Sequence, residues 1–438
     1  MKKVLLLDYQ EDLSNPIRKA VTGTFGSRTN INGFMGSLYK KMKAKGIIIP
    51  PMYFAYAASL FEKEGWEIEH RYDFGSKAYD LIIFATSMPG HKEEVRAIEN
   101  YKEKSETPII AAGAFAKERP ELFKGITHGI IIDGEPEMSL WKLAKNEIEI
   151  NIENPIIQSG QVEDPDLLPF PGWKHFNFES FQYSPMLKGI AVPFLTSRGC
   201  PYNCDYCHYM PEAGPKARFR SLDNVFEEIY YLKSLGIHNI VFRDLVFTLN
   251  KKRTIEFCER VIKENLDINW AIETRIDKLT PELITLMKKA GLRHLNLGVE
   301  SPDPKILKNV GRLPADLVHQ ENIINHIHKE GLTISAFFII GFIEDSKKSV
   351  NFMINYAKKV NALAAQFCVM TPFPGTKLFN DLKDRIITKD WSDFDEYTPT
   401  LKLDHLSSNE VVTLRDQAYK KYYFRPGWFF KYWKKILL

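Results

Sequence analysis

Three of the chain's five cysteines fall within eight residues, in the stretch Thr196-Ser-Arg-Gly-Cys-Pro-Tyr-Asn-Cys-Asp-Tyr-Cys-His208. Cys200, Cys204 and Cys207 are thus spaced C-x3-C-x2-C. Thiolates are soft ligands that suit iron–sulfur clusters, zinc and copper(I). Ferredoxin-type clusters take four cysteines. Three leave one iron of a [4Fe–4S] cube without a protein ligand, open to a substrate or cofactor. Zinc with His208 as fourth ligand, or three reduced core thiols, stands as the alternative. Structural zinc usually takes its ligands as two spaced pairs, and the sequence has no second pair. Cys258 and Cys368 lie far off in apolar contexts and read as buried thiols, which behave as small hydrophobes.

The surrounding elements say where else to look. Residues 191–376 repeat a strand–helix unit. Strands are expected at Ala191–Thr196, Asn239–Arg243, Asn269–Glu273, His294–Val299, Thr333–Gly341 and Ala364–Met370. Helices alternate with them, one over Ser221–Leu235 with Ser221 as N-cap. Another, Thr280–Ala290, has Pro281 in its first turn and Gly291 past its end. Such units predict a partial (β/α)6, TIM-like barrel, whose chemistry collects at the carboxyl ends of its strands. The cysteines follow the first strand. The same rule nominates Asp244, Glu273, Arg275, Glu300, Ser301 and the segment from Gly341. Arg275 can clamp a carboxylate in bidentate fashion, and Glu273 can accept from a ribose hydroxyl. The bland alternatives are an N-cap or surface acid for Asp244 and a structural Arg–Glu pair for the other two.

Residues 1–148 also alternate strands with helices, which argues for a doubly wound parallel sheet of flavodoxin or Rossmann type. Strands are expected at Lys3–Asp8, Glu67–Tyr72, Leu81–Ala85, Pro108–Ala112 and Gly129–Ile132. Ligands of such sheets lie at the strands' carboxyl ends, here the loops Thr86–Gly90, Ala112–Lys117 and Asp133–Glu137. Residues 22–50 read as an irregular loop or lid. Residues 149–190, rich in Asn, Pro and acids, read as a linker, and 377–438 as a small helical, aromatic region.

The cysteine spacing, with Tyr206 before the last thiol, resembles the radical S-adenosylmethionine (SAM) superfamily. So do Gly298-Val-Glu-Ser301 and Thr371-Pro-Phe-Pro-Gly-Thr376. The resemblance implies a [4Fe–4S] cluster on Cys200, Cys204 and Cys207. It implies SAM near Tyr206, Asp244, Glu273, Arg275, Glu300, Ser301 and Gly341. The first domain resembles the cobalamin-binding domain preceding the barrel in one large subfamily. The matching parts are the opening strand, Pro50-Pro51, Ala112-Gly113 and Gly134-Glu135. Cobalamin would then meet Thr86, Ser87, Gly113, Ala114, Gly134 and Glu135. Two departures stand out: the Asp-x-His-x-x-Gly motif that supplies an axial His is absent, and the usual Gly-Gly is Ala112-Gly113. A flavodoxin-like domain without a corrin is the alternative.

This resemblance implies reductive cleavage of SAM to methionine and a 5′-deoxyadenosyl radical, which abstracts hydrogen from an unactivated carbon. With cobalamin the expected outcome is methylation of a small or lipid-like molecule. Oxidative cyclisation or rearrangement on the same architecture is the second reading, and a non-catalytic corrinoid- or metal-binding protein the third. An external electron donor such as flavodoxin or ferredoxin is implied. A net charge of +4 is too mild to argue for nucleic acid. The clustered thiols and the lack of an export signal or a long apolar run predict a cytoplasmic protein. Tyr422-Tyr-Phe-Arg-Pro426 resembles tails of cobalamin–radical SAM enzymes that act on hopanoids and chlorophyll precursors. Residues 426–438, aromatic and lysine-rich, are expected either to touch an anionic membrane surface peripherally or to dock over the barrel mouth as a lid.

Overall fold

The computed structural model describes residues 1–20, 24–29 and 49–437. Most of the expected insertion at 22–50 therefore lies outside the described residues. The first sheet contains β1 (Lys3–Leu7), β2 (Glu67–Arg71), β3 (Leu81–Ala85), β4 (Ile109–Ala112), β5 (Gly129–Gly134) and β6 (Ile156–Gly160). All pair in parallel, in the order β2-β1-β3-β4-β5-β6. The central strands read as unbroken apolar runs because helices cover both faces. Val4, Leu6 and Ile83 pack with Phe54 and Leu140 of the helices Met52–Lys63 and Pro136–Ala144. Leu5, Leu7, Ile82 and Phe84 pack with Ile98 of the helix His91–Lys102.

Strand β6 lies inside the segment read as a linker. Its short Ile156-Ile157 run is masked in the sequence by the Asn, Pro and acidic residues around it. The rest of that segment is held down on the first domain. Gly172 N donates to Ala55 O at 2.7 Å, and Trp173, Phe176 and Phe181 are buried.

The second sheet begins at β7 (Ala191–Phe194), from which a small antiparallel ladder, β8 (Ser197–Arg198) and β9 (Arg218–Phe219), branches off. It continues with β10 (Asn239–Phe242), β11 (Asn269–Thr274), β12 (Leu292–Glu300), β13 (Thr333–Ile340) and β14 (Ala364–Val369). The order is β14-β13-β12-β11-β10-β7, parallel throughout. The open, partial barrel expected from the sequence is thus present. Ser221 caps the helix Leu222–Ser234 by accepting from Asn224 N. Val225, Ile229 and Leu232 bury that helix's apolar stripe against the sheet.

The helix Ser408–Tyr423 starts with a capping box between Ser407 and Glu410 and packs on β14. The last helix, Pro426–Leu437, docks through Trp428 and Tyr432, four residues apart on one face. Trp428 Nε1 donates to Ala362 O at 3.1 Å and Tyr432 Oη to Asn361 O at 2.6 Å. Those carbonyls precede β14, so the helix sits at the barrel's amino end. This overturns the lid expectation: the docking face is fixed at the end opposite the cysteines. Among the described residues no helix is long and apolar enough to cross a membrane.

Candidate active site

The carboxyl ends of the two sheets face each other. Arg198, just after β7, bonds Glu135, just after β5, at 3.0 Å. Thr24 Oγ1 accepts from Ala114 N, just after β4, and donates to Glu212 Oε2 of the barrel, both at 2.8 Å. The rings of Phe25 and Phe373 lie 5.1 Å apart. The strand-end loops of the two halves therefore meet across one domain junction.

Cys200, Cys204 and Cys207 are unbridged thiols in the loop between β8 and β9. Burial pushes Cys207 up to about 12, and the sulfurs of Cys204 and Cys200 act on it in the same direction. The loop turns tightly on itself: Cys207 N donates to Cys204 O at 3.0 Å and Met210 N to Cys207 O at 3.2 Å. Three soft donors in one such loop fit an iron–sulfur cluster. Among the described residues, no three His, Cys, Asp or Glu side chains converge as on a single ion. The His208 ring instead packs 5.4 Å from Phe373 and 4.5 Å from Tyr209.

The loop is braced from several sides. Asp205 N donates to Val310 O at 3.0 Å, and Lys377 Nζ reaches Asp205 Oδ2 at 3.0 Å. Gly311, at φ +67°, packs so close that a Cβ would lie 2.6 Å from Asn203 O. Asp244 is buried and fully engaged. Its carboxylate accepts from Thr196 N at 3.1 Å, Thr196 Oγ1 at 2.7 Å and Ser197 Oγ at 2.5 Å. Burial raises its pKa against those bonds.

Arg275 and Glu300 border the thiols, together with Tyr206. Arg275 donates to Asp277 Oδ1 at 2.8 Å and Leu313 O at 3.1 Å. Glu300 adopts φ +62° where the β12–β13 register shifts. Its carboxylate lies 3.5 Å from Arg312, and burial raises its pKa first, against Arg312 and Arg275. Tyr206 is pushed well above the usual phenol range by burial, with Glu300 adding to it. Ser301 Oγ accepts from Asp303 N at 3.1 Å, and Asp303 in turn caps the helix Pro304–Asn309. Gly341 N donates to Asp345 Oδ2 at 2.9 Å. Glu273 pairs with Arg243.

In the first domain, Thr86 Oγ1 donates to Ala112 O at 3.0 Å and accepts from Ala116 N at 3.2 Å. Ser87 Oγ donates to Glu94 Oε1 at 2.6 Å. Gly113, at φ +110°, brings no side chain to the β4 end, where a Cβ would crowd Tyr53 Oη at 3.3 Å. These strand ends are covered: Thr86, Ser87 and Ala114 are buried, Ala114 N donates to Thr24 Oγ1 and Met88 N to Phe25 O. Gly134 and Glu135 stand apart from these residues, turned to the barrel's Arg198 and Arg218.

Sequence reasoning gave no role to Arg198, Arg218 or Arg312, and named Glu137 only as the end of the loop Asp133–Glu137. Arg198 stands within the cysteine stretch itself. Gly311 before Arg312 was the readable sign of a tight approach.

Residues 194–357 match the family model described as the Radical SAM superfamily. The barrel segment is thus similar to that superfamily. An uncharacterised methyltransferase of Pyrococcus horikoshii is 33% identical over 273 residues, 60% of this chain and 58% of that protein. The anaerobic magnesium-protoporphyrin IX monomethyl ester cyclase of Rubrivivax gelatinosus is 29% identical over 272 residues, 60% of this chain and 47% of that protein. The chain thus spans about half the length of the curated relatives it matches. The solved structure of OxsB, a cobalamin-dependent SAM radical enzyme with aqua-cobalamin and SAM bound, aligns with TM-score 0.63 at 14% identity. That alignment covers 92% of this chain and 65% of OxsB. TsrM of Kitasatospora setae, a radical SAM methyltransferase with cobalamin and a [4Fe–4S] cluster, aligns with TM-score 0.60 at 15% identity, covering 88% and 78%. The two-domain fold is that of these enzymes.

Proposed function

We propose that the chain is a cobalamin-dependent radical SAM methyltransferase acting on an unactivated carbon of a small or lipid-like molecule. The observation that carries this is the opposition of two sheet ends, one followed by the three thiols and the other by the small residues Thr86, Ser87, Gly113 and Ala114. Cys200, Cys204 and Cys207 would hold the cluster. Tyr206, Arg275 and Glu300 border it on the SAM side, with Asp244, Glu273, Ser301 and Gly341 behind. Thr86, Ser87, Gly113 and Ala114 would face the corrin. When bound, cluster and SAM supply one-electron cleavage of a sulfonium and cobalamin a transferable methyl group. The protein's part is to hold these groups in register and keep water out. An external one-electron donor such as flavodoxin or ferredoxin completes the requirement.

Relatives named as ester cyclases favour a second reading, ring formation without methyl transfer. Anaerobically purified chain, supplied with hydroxocobalamin, should show a corrin spectrum that survives desalting. Label from methyl-labelled SAM should then enter an acceptor. A chain that retains no corrin would refute the methyltransferase reading.

The last helix supports a peripheral contact with anionic lipid on the cytoplasmic side. Phe429, Phe430 and Trp433 are exposed beside Lys431, Lys434 and Lys435, the composition of an interfacial helix. Its place at the amino end of the barrel leaves the mouth clear of the lipid. Sedimentation with phosphatidylglycerol vesicles should fall sharply in Phe430→Glu; equal binding would remove the lipid contact.

A further inference from the structure

The strongest unassigned feature is a buried four-membered ion network at the join of the two domains. Arg198 Nη1 lies 3.0 Å from Glu135 Oε1, and its Nη2 lies 2.8 Å from Glu137 Oε1. Arg218 Nη1 lies 2.6 Å from Glu135 Oε2. All four side chains are under a tenth exposed. The arginines belong to the barrel, and the carboxylates to the N-cap and first turn of the helix after β5. Burial works to raise Glu135, but Arg198 and Arg218 outweigh it and hold the carboxyl below its usual range.

The two arginines occupy special places in the chain. Arg198 is two residues before Cys200, and Arg218 closes the same ladder on the return side. Arg218 also donates to Ala213 O at 2.8 Å, and Cys200 N donates to Gly214 O at 3.1 Å. Gly199, at φ +80°, lies so close to Lys216 O that no side chain fits. Entry and exit of the cysteine loop are thus tied together, and one carboxylate of the other domain holds both. Asp244 fixes the preceding residues, Thr196 and Ser197, from within the barrel.

We propose that Glu135 and Glu137 are positioning residues for the cluster, fixing its loop through Arg198 and Arg218. This rests on the cluster reading above. The Gly134-Glu135 pair, which the family resemblance would give to the corrin, then serves the iron site. Residues that orient metal ligands from outside typically cost 10–100-fold in metal affinity when changed.

The test is iron retention by the full chain after anaerobic reconstitution and challenge with a chelator, plus the EPR spectrum of the reduced cluster. Glu135→Gln should lose iron roughly tenfold more readily than wild type and give a broadened signal, with unchanged far-UV circular dichroism. Glu137→Gln, which leaves Glu135 on both arginines, should show a smaller effect and carries the test if the first variant misfolds. Glu94→Gln, at a buried pair with Lys19 away from the loop, controls for loss of any buried carboxylate and should keep its iron. Wild-type retention and spectrum in both Glu135→Gln and Glu137→Gln would overturn the proposal. A wild-type chain that binds no iron would instead remove the cluster reading beneath it.

Discussion

The Arg275 guanidinium lies over the ring of Tyr202, 4.3 Å from its centre. Tyr202 stands between the first two cysteines, so a residue after β11 grips the cluster loop by stacking. Stacking uses the flat face of guanidinium, which an ammonium lacks. Arg275→Lys should therefore slow 5′-deoxyadenosine formation about tenfold or more. A rate within twofold of wild type would show that the stack has no positioning role.

Asp244 concentrates three donors from Thr196 and Ser197 on one buried carboxylate. In Asp244→Asn, an amide oxygen kept on Thr196 N leaves the NH2 facing the two hydroxyls, which must give up donating and turn to accept. The cost should be about 1–3 kcal/mol, read as a lower urea midpoint of the cluster-free chain. An unchanged midpoint would mean that the root of the loop is held elsewhere.

Gly134 has φ +70°, and a Cβ there would run into the carbonyl of Gly160, its partner across β5 and β6. Gly134→Ala should cost about 2 kcal/mol or more. Hydrogen exchange should localise the damage to Glu135 N–H, which donates to Gly160 O at 2.8 Å. Protection as in wild type would contradict the close approach.

His70 is enclosed by the rings of Phe54, Tyr72 and Phe176, the last at 4.8 Å. Burial pushes its pKa down to about 4. Below the unfolded value near 6.5 the unfolded chain takes up the proton and the folded chain does not. Its contribution is whole above about pH 6.5 and is lost as pH falls toward 4, roughly 3 kcal/mol in all. His70→Phe should lose less stability than wild type between pH 7 and pH 5. Identical pH slopes would show that His70 does not set this loss.

The first sheet was legible because its central strands are apolar throughout, and the second because its strands alternate with capped, amphipathic helices. The cysteine loop was legible from spacing alone. Strand β6 was hidden because two isoleucines cannot outweigh the polar residues around them. The roles of Arg198, Arg218 and Arg312 were hidden for another reason. An arginine's partner is fixed by tertiary approach, here across more than sixty positions from Glu135 to Arg198, and no local pattern encodes it. Asp244 was legible as a strand-end acid. That its carboxylate is filled by Thr196 and Ser197 follows only from the fold of the loop.

Everything turns on three thiolates leaving one iron open at the meeting of two sheet ends. Anaerobic reconstitution with iron and sulfide, then SAM and a strong reductant, measures it directly. Wild type should hold about four irons per chain and form 5′-deoxyadenosine, while Cys204→Ala forms none. Zinc in place of iron, or undiminished 5′-deoxyadenosine from Cys204→Ala, would contradict it.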